Sequence, residues 1–440
     1  MKKLINTLMI ILLLASLIGC GKQAGTAPAG GNPSIEHKPV TLQIFQNLTL
    51  TDSEYVKLIE EPVKKKFPWI TLIRTSASSS NLTLEDVIAS GNVPDLIYGN
   101  ITSYYAYEKL GLIYDLADFI KKYNFDINRI KPGILESIKN QSETGNIYTL
   151  PFNANIPILY YNKDIFDKFG VPYPSDEQIT WEEAIELGKK LTRTDNGVNY
   201  VGLDVEDGPI RIYESLGLQL IDPETEKAAV VSNPGWKRVF DVVKSSFEVP
   251  GYIQGENYIY NIDNFLKTQN LAMRVAPLAN MVGKLDDLLA AGKPINWGIA
   301  PPPTFKEAPG KGPEYSIHTW YITSQSKYKD EAFQVISYIL SDEVQRILAR
   351  NGRVPAIVNP ELEKEYGADL PALQGLNVQN VFKAEPQPIS KDHPYETEVA
   401  AFLKDAYKEL AIGNVDVNTS LRNLEEKINK KIDQLKVAGK

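Results

Sequence analysis

Between positions 40 and 98 the chain alternates short apolar runs with amphipathic ones in a β-α-β-α-β order, and that order leaves few folds open. Val40, Leu42 and Ile44 repeat with a period of two, the pattern of a strand with one buried face. A helical stretch around Tyr55 to Phe67 follows, then a strand at Ile70 to Arg74, a helix near Leu84 to Ser90 and a short strand at Asp95 to Tyr98. Strands joined through helices pair in parallel, with the helices laid over the sheet. The 440 residues hold about three average domains, or two large ones. Hydrophobic residues at 43% and charged residues at 23% give enough apolar material for a sizeable core, which excludes a disordered chain. Lys plus Arg number 47 and Asp plus Glu 55, a net charge of −8 with no dense basic block, so nucleic acid is not an expected partner. Tyr (23) outnumbers Phe (14), which suits rings set where one edge meets water or a polar ligand.

The single cysteine, Cys20, excludes an intramolecular disulfide and a cysteine-built zinc cluster. Its position carries the information. Lys2 and Lys3 precede an apolar run from Leu8 to Ile18 and then Gly19-Cys20, the layout of a secretory signal, and the run is too short to span a bilayer. Leu17-Ile18-Gly19-Cys20 resembles the bacterial lipoprotein box, which implies cleavage after residue 19, acylation of Cys20 and a membrane-anchored protein on the extracytoplasmic face. Losing Lys2 and Lys3 takes the mature net charge from −8 to −10. Residues 1–19 are thus expected to be a signal peptide and 20–38, rich in Gly, Ala, Pro, Ser and Asn, a lipidated flexible tether.

Further along, Thr180-Trp181-Glu182-Glu183 has the capping-box pattern before a helix carrying Ala184, Leu187 and Leu191, so Trp181 is expected to be structural. Asp195-Asn196-Gly197 predicts a turn. Residues 204–208 look superficially like a calcium loop but lack its ligand alternation and terminal Glu. One helix is predicted from Glu331 to Asn351, stopped at Gly352, and two amphipathic helices, Glu396 to Ala411 and Thr419 to Val437, close the chain with core-facing stripes. The sequence lacks a G-x-S-x-G turn, an H-E-x-x-H helix, a G-x-x-x-x-G-K-[ST] loop and a G-x-G-x-x-G turn. His37, His318 and His393 are far apart in sequence, which weakens any His-based metal site or triad, and no cofactor is expected. The Asn-x-Ser/Thr tripeptides at Asn47, Asn81, Asn100 and Asn418 are chance matches behind a bacterial-type signal.

Tyr148-Thr149-Leu150-Pro151, the run Ile158 to Phe166, and Thr180 to Glu183 resemble the central block of family 1 extracellular solute-binding proteins, the maltose-binding-protein-like binding subunits of ABC importers. Asn92 to Ile97, Leu271-Ala272-Met273, Asn296 to Pro303, and the run from Trp320-Tyr321-Ile322-Thr323 to Asn351-Gly352-Arg353-Val354-Pro355 fall in the order of that family. The resemblance implies an α/β, two-lobed periplasmic-binding-protein-like fold of type II with a ligand cleft between the lobes. Lobe 1 is expected at 39–152 plus 302–355 and lobe 2 at 153–301 plus 356–440, with Pro301-Pro302-Pro303 stiffening a crossing.

Candidate ligand residues sit where strands run out. These are Asn47 and Thr49 after the first strand, and Asn100 and Tyr104 after the strand ending at Tyr98. Asn153 and Asn155 interrupt an apolar strand beside the crossing, and Asn155 stands where maltose-binding protein has a ligand-contacting carboxylate. An amide there suits a neutral hydroxylated ligand or, alternatively, satisfies backbone groups at the hinge. By family position Trp320 stacks on a sugar ring or belongs to the core, Arg211, Asn280, Arg353 and Tyr395 lie near contact segments, and Gly99 replaces a stacking Trp whose ring Tyr104 supplies. The expectation is a non-catalytic, monomeric, carbohydrate-binding lipoprotein that serves an ABC permease. The alternatives are a surface-anchored glycan-active enzyme or a binding protein for a non-sugar solute, and the two arginines keep an anionic ligand open.

Overall fold

The computed structural model describes residues 37–48, 50–205, 210–391 and 393–438. Residues 1–36, which hold the expected signal peptide and nearly all of the tether with Cys20, lie outside the described residues, as do Thr49 and residues 206–208 of the 204–208 segment. Residues 39–440 form one compact unit built on two five-stranded sheets.

The first sheet contains β1 (Val40–Gln46), β2 (Ile70–Ser76), β3 (Leu96–Asn100) and β4 (Thr149–Asn155). The second contains β5 (Pro157–Asn162), β6 (Arg193–Asp195) and β7 (Val198–Asp204). A separate short pair, β8 (Ile221–Asp222) and β9 (Lys227–Ala228), follows. Next come β10 (Leu271–Pro277) and β11 (Trp297–Ala300), both in the second sheet. β12 (Lys311–Gly312) pairs with β14 (Glu385–Pro386), and between them in sequence β13 (Ser316–Ile322) returns to the first sheet. The strand orders are β2-β1-β3-β13-β4 and β11-β5-β10-β7-β6.

The β-α-β-α-β reading holds: β1 pairs in parallel with β2 from Val40↔Ile70 and with β3 from Ile44↔Leu96. Helices over both faces explain why β3 reads as a continuous apolar run, and Leu96, Ile97 and Tyr98 are all buried. β13 then enters antiparallel between β3 and β4, which places Trp320 opposite Tyr98.

The helical stretch after β1 starts at Asp52, earlier than the pattern suggests, because Thr51 caps it: Thr51 Oγ1 accepts the Glu54 N–H at 3.2 Å and Glu54 Oε2 accepts the Thr51 N–H at 3.0 Å. It widens into a π-turn over Val56–Glu60, where Glu61 N–H reaches back five residues to the Val56 carbonyl. Pro62 follows at once. Proline inside a helix lacks the donor and crowds the carbonyl four residues back, and the widened turn relieves that crowding. Helix Trp181–Leu191 has the predicted capping box, and Trp181 is buried. Gly188 and Gly202 let this helix approach β7, since a Cβ on Gly202 would sit 2.0 Å from the Gly188 carbonyl oxygen. Asn196 and Gly197 turn β6 into β7 with φ of 48° and 78°.

The single helix expected from Glu331 to Asn351 is two, Lys329–Ile339 and Asp342–Arg350. Ser341 separates them: its hydroxyl accepts the Val344 N–H at 3.3 Å, and Asp342 and Glu343 occupy the new first turn. The apolar stripe runs through the break, so periodicity alone conceals it. Gly352, at φ 73°, ends the second helix as expected. The last two helices, Glu396–Ile412 and Val417–Val437, bury their stripes. Among the described residues no helix is long and apolar enough to cross a membrane.

Candidate functional site

The chain crosses from β4 to β5 through Ile156 alone, and the Ala154 N–H takes the carbonyl of Val354, 3.0 Å away, on the segment that leaves the Asp342–Arg350 helix. Beside these crossings opens a cleft of about 770 Å³, a size ordinary for a small-molecule site. Thr51, Ser53, Glu54 and Lys57 from the first helix, His318 from β13 and Asn351 to Arg353 line the wall of the first sheet. Arg274, Ala276 and Pro277 from β10, Asn280 and the turn after it, Ile262 and Arg211 line the wall of the second. Much of the lining lies where β1 and β10 run out, the place where open sheets present their loops, while His318 and Arg274 project from within β13 and β10.

Three arginines enter this cleft, and each has a carboxylate. Arg353 is only 4% exposed, and its Nη2 donates to Glu54 Oε1 at 2.5 Å. Arg274 pairs with Asp204, its register partner on β7, and Arg211 Nη1 meets Glu214 Oε2 at 2.6 Å one helical turn on. Burial works to raise the Glu54 carboxyl, but Arg353 and the Thr51 hydrogen bonds outweigh it and hold the group below its ordinary value, so it is ionised. Burial pushes Arg274 down to about 10, which leaves it cationic at neutral pH. His318 lies with its Nδ1 3.2 Å from the Tyr98 hydroxyl, and burial, aided by the Arg353 charge, pushes its pKa down to about 3. The imidazole is therefore neutral. Burial raises the Tyr98 hydroxyl, so that group keeps its proton.

Of the residues expected from sequence, Arg211, Asn280 and Arg353 line the cleft. Asn155 lies directly beneath, where its Nδ2 donates to Asn280 Oδ1 at 3.2 Å and its Oδ1 accepts the Ala279 N–H at 2.9 Å. Asn153 is fully buried, its amide nitrogen donating to the Ala154 carbonyl at 2.7 Å. Trp320 is 1% exposed, with its ring 4.9 Å from Tyr98 and edge-on to Phe152, and as it stands offers no face to a ligand. Tyr104 packs on the opposite face of the first sheet in a cluster with Tyr107 and Tyr321, and its hydroxyl donates to Glu108 at 2.8 Å. Asn47 donates to the Tyr107 hydroxyl at 3.0 Å, and Asn100 caps its own turn by accepting the Thr102 N–H at 3.1 Å. Tyr395 leads into the Glu396–Ile412 helix with its ring against His393.

The cleft also contains Thr51, Ser53, Glu54, Arg274 and His318, which sequence reasoning did not single out. Two of them carry a signal in hindsight. Arg274 is a lone charge in the apolar run of β10, and Thr51-x-x-Glu54 is a capping box immediately after a strand.

The profile of the family described as Bacterial extracellular solute-binding protein matches residues 58–346. The chain belongs to this family. The solute-binding protein is 27% identical over 154 residues to the Multiple sugar-binding protein of Streptococcus mutans, a match spanning 34% of this chain and 34% of that protein. It is 24% identical over 345 residues to the sn-glycerol-3-phosphate-binding periplasmic protein UgpB of Brucella melitensis, covering 71% of this chain and 74% of that one. Among solved structures, an ABC substrate-binding protein from Listeria monocytogenes in complex with cycloalternan shares its fold with a TM-score of 0.69 at 19% identity, over 90% of this chain and all (100%) of the other. A sugar transporter from Rhizobium etli in an open conformation gives 0.71 at 21% identity, over 88% and 98%. The two-lobed fold is thus common to this solute-binding protein and to both of these structures.

Proposed function

We propose that the protein is the lipid-anchored sugar-binding component of an ABC importer, taking a mono- or oligosaccharide into the interlobe cleft and presenting it to the permease at the extracytoplasmic face of the membrane. The observation that carries the ligand class is the cleft itself. Its side chains offer hydroxyls, an amide, a neutral imidazole and charge-paired guanidinium groups, with Lys57, Lys284, Asp286 and Asp287 of both signs on the same lining, a set that exchanges hydrogen bonds with sugar hydroxyls. Relatives named for multiple sugars and for lactose, and structures of similar fold solved with cycloalternan, mannotriose and D-mannitol, support the same class. Lobe 1 (39–152 plus 302–355) and lobe 2 (153–301 plus 356–440) close over the ligand as two bodies, and the protein works as a monomer without catalysing a reaction. Asn155 acts through Asn280 as a positioning residue. Calorimetric titration of the protein with a panel of neutral mono- and oligosaccharides tests the ligand class, and the absence of binding across the panel removes it. The anchor is tested separately, since Cys20→Ser releases the protein from membranes under carbonate washing if Cys20 is acylated.

A further inference from the structure

Three guanidinium groups converging on one cleft would ordinarily mark an anion site, because their planar forks match phosphate and carboxylate. Here each guanidinium already meets a carboxylate through one of its nitrogens, beside Lys57 and Lys284 on the same lining, and the first wall shows how the deepest is paired. Arg353 is the most deeply set, its side chain 5% exposed, while its partner Glu54 keeps 31% and so borders the open cleft. Glu54 cannot swing away freely. Its Oε2 is tied to the Thr51 N–H at 3.0 Å and to the Thr51 hydroxyl at 3.1 Å, which leaves Oε1 for Arg353. A helix cap written into four consecutive residues thus fixes a negative charge beside the cleft's deepest positive one. On the second wall Asp204 and Glu214 do the same for Arg274 and Arg211. His318 adds a polar ring but no charge.

We propose that Glu54 is the residue that restricts the cleft to uncharged ligands: by cancelling Arg353 it turns away phosphorylated solutes and leaves the guanidinium only as a hydrogen-bond donor to neutral oxygens. This deepens the reading of the cleft as a sugar site and rests on it. One relative, aligned over 345 residues, is named for a phosphate ester, the class of ligand that this discrimination excludes here. An incoming phosphate would have to face the Glu54 carboxylate at close range in a partly desolvated site, where like charges repel strongly.

The test uses the full-length protein in detergent, titrated calorimetrically with glycerol 3-phosphate, glucose 6-phosphate and maltotriose. Wild type is expected to take neither ester below millimolar concentration. Glu54→Gln, which keeps the side chain's shape, is expected to bind glycerol 3-phosphate at least ~50-fold more tightly than wild type, with an affinity that falls steeply as salt is raised. Glu54→Ala is a second route to the same freed guanidinium, because the Thr51 hydroxyl still caps the residue 54 backbone N–H. Wild-type binding of glycerol 3-phosphate in the micromolar range overturns the proposal, as does a folded Glu54→Gln or Glu54→Ala protein that gains no ester affinity. Failure of wild type to bind any neutral sugar removes the sugar reading instead, and the ester gain in the variants decides the role of Glu54 independently.

Discussion

The two walls of the cleft reach the same electrostatic end by different routes. On the wall of the second sheet the ion pairs are local or in register: Arg211 and Glu214 are three residues apart on one helix, and Arg274 faces Asp204 across adjacent parallel strands. On the wall of the first sheet Glu54 and Arg353 are 299 residues apart and meet only because β13 and the helices after it return the chain to the sheet it left at β4. The second wall is therefore set up once its own sheet forms. The first depends on the late return of the chain, and it is also where a neutral buried imidazole, His318, sits over a packed aromatic layer of Tyr98, Phe152 and Trp320.

The aromatic layer gives the largest way to break the first wall without touching the second. Trp320→Ala is expected to cost about 3–5 kcal/mol of apo stability through the cavity it leaves, read as a lower midpoint in denaturant. If Trp320 instead contacts ligand, apo stability holds and the ligand-induced shift in melting temperature collapses. The matching break in the second wall is Asp204→Ala. Asp204 is 1% exposed, and its removal takes a charge partner from Arg274, so a loss of about 3 kcal/mol is expected in the same denaturation experiment.

A pH titration separates the walls more sharply. In the unfolded chain His318 has the ordinary histidine pKa, and in the folded protein it is held down to about 3. Between those values the unfolded state binds the extra proton, so stability falls as pH falls, by about 2 kcal/mol from pH 6.5 to 5. His318→Gln is expected to flatten that part of the stability curve, whereas an unchanged slope would show that His318 is not the group responsible. Glu54 acts in a lower window. Its folded pKa is depressed, so its contribution is present above the unfolded carboxylate pKa and disappears as pH drops through the folded one. The smallest effect is expected for Asn155→Ala, which unties the two walls where Asn155 holds Asn280 and the Ala279 N–H. Ligand affinity should fall by about 1 kcal/mol with apo stability nearly kept, and equal affinity in calorimetry would confine Asn155 to the hinge.

Much of the scaffold was legible because its signals are local. The period-two run in β1, the cap at Thr180 and the Asn196-Gly197 turn each express preferences that neighbouring residues satisfy among themselves. The missed break at Ser341 has the opposite character. A serine can sit inside a helix or cap one, and which it does depended on how two helices pack over the first sheet. The cleft was legible in part: Arg211, Asn280 and Arg353 came from family position, yet the groups that set the charge of the first wall did not. A Glu three residues after a Thr is a capping box in any chain, and nothing near Glu54 in sequence indicates that its second carboxylate oxygen will meet an arginine.

The sequence by itself determined that the chain builds a parallel sheet with crossover helices, carries a lipobox-like start and belongs with solute-binding proteins, since periodicity, caps and ordered motifs are properties of neighbouring residues. Only the tertiary structure decided that Trp320 faces Tyr98 and Phe152, that His318 is buried beside Arg353, and that Glu54 neutralises it. Burial and charge pairing depend on distances through space, and those distances are established when β13 closes between β3 and β4, joining residues that the chain itself keeps hundreds of positions apart.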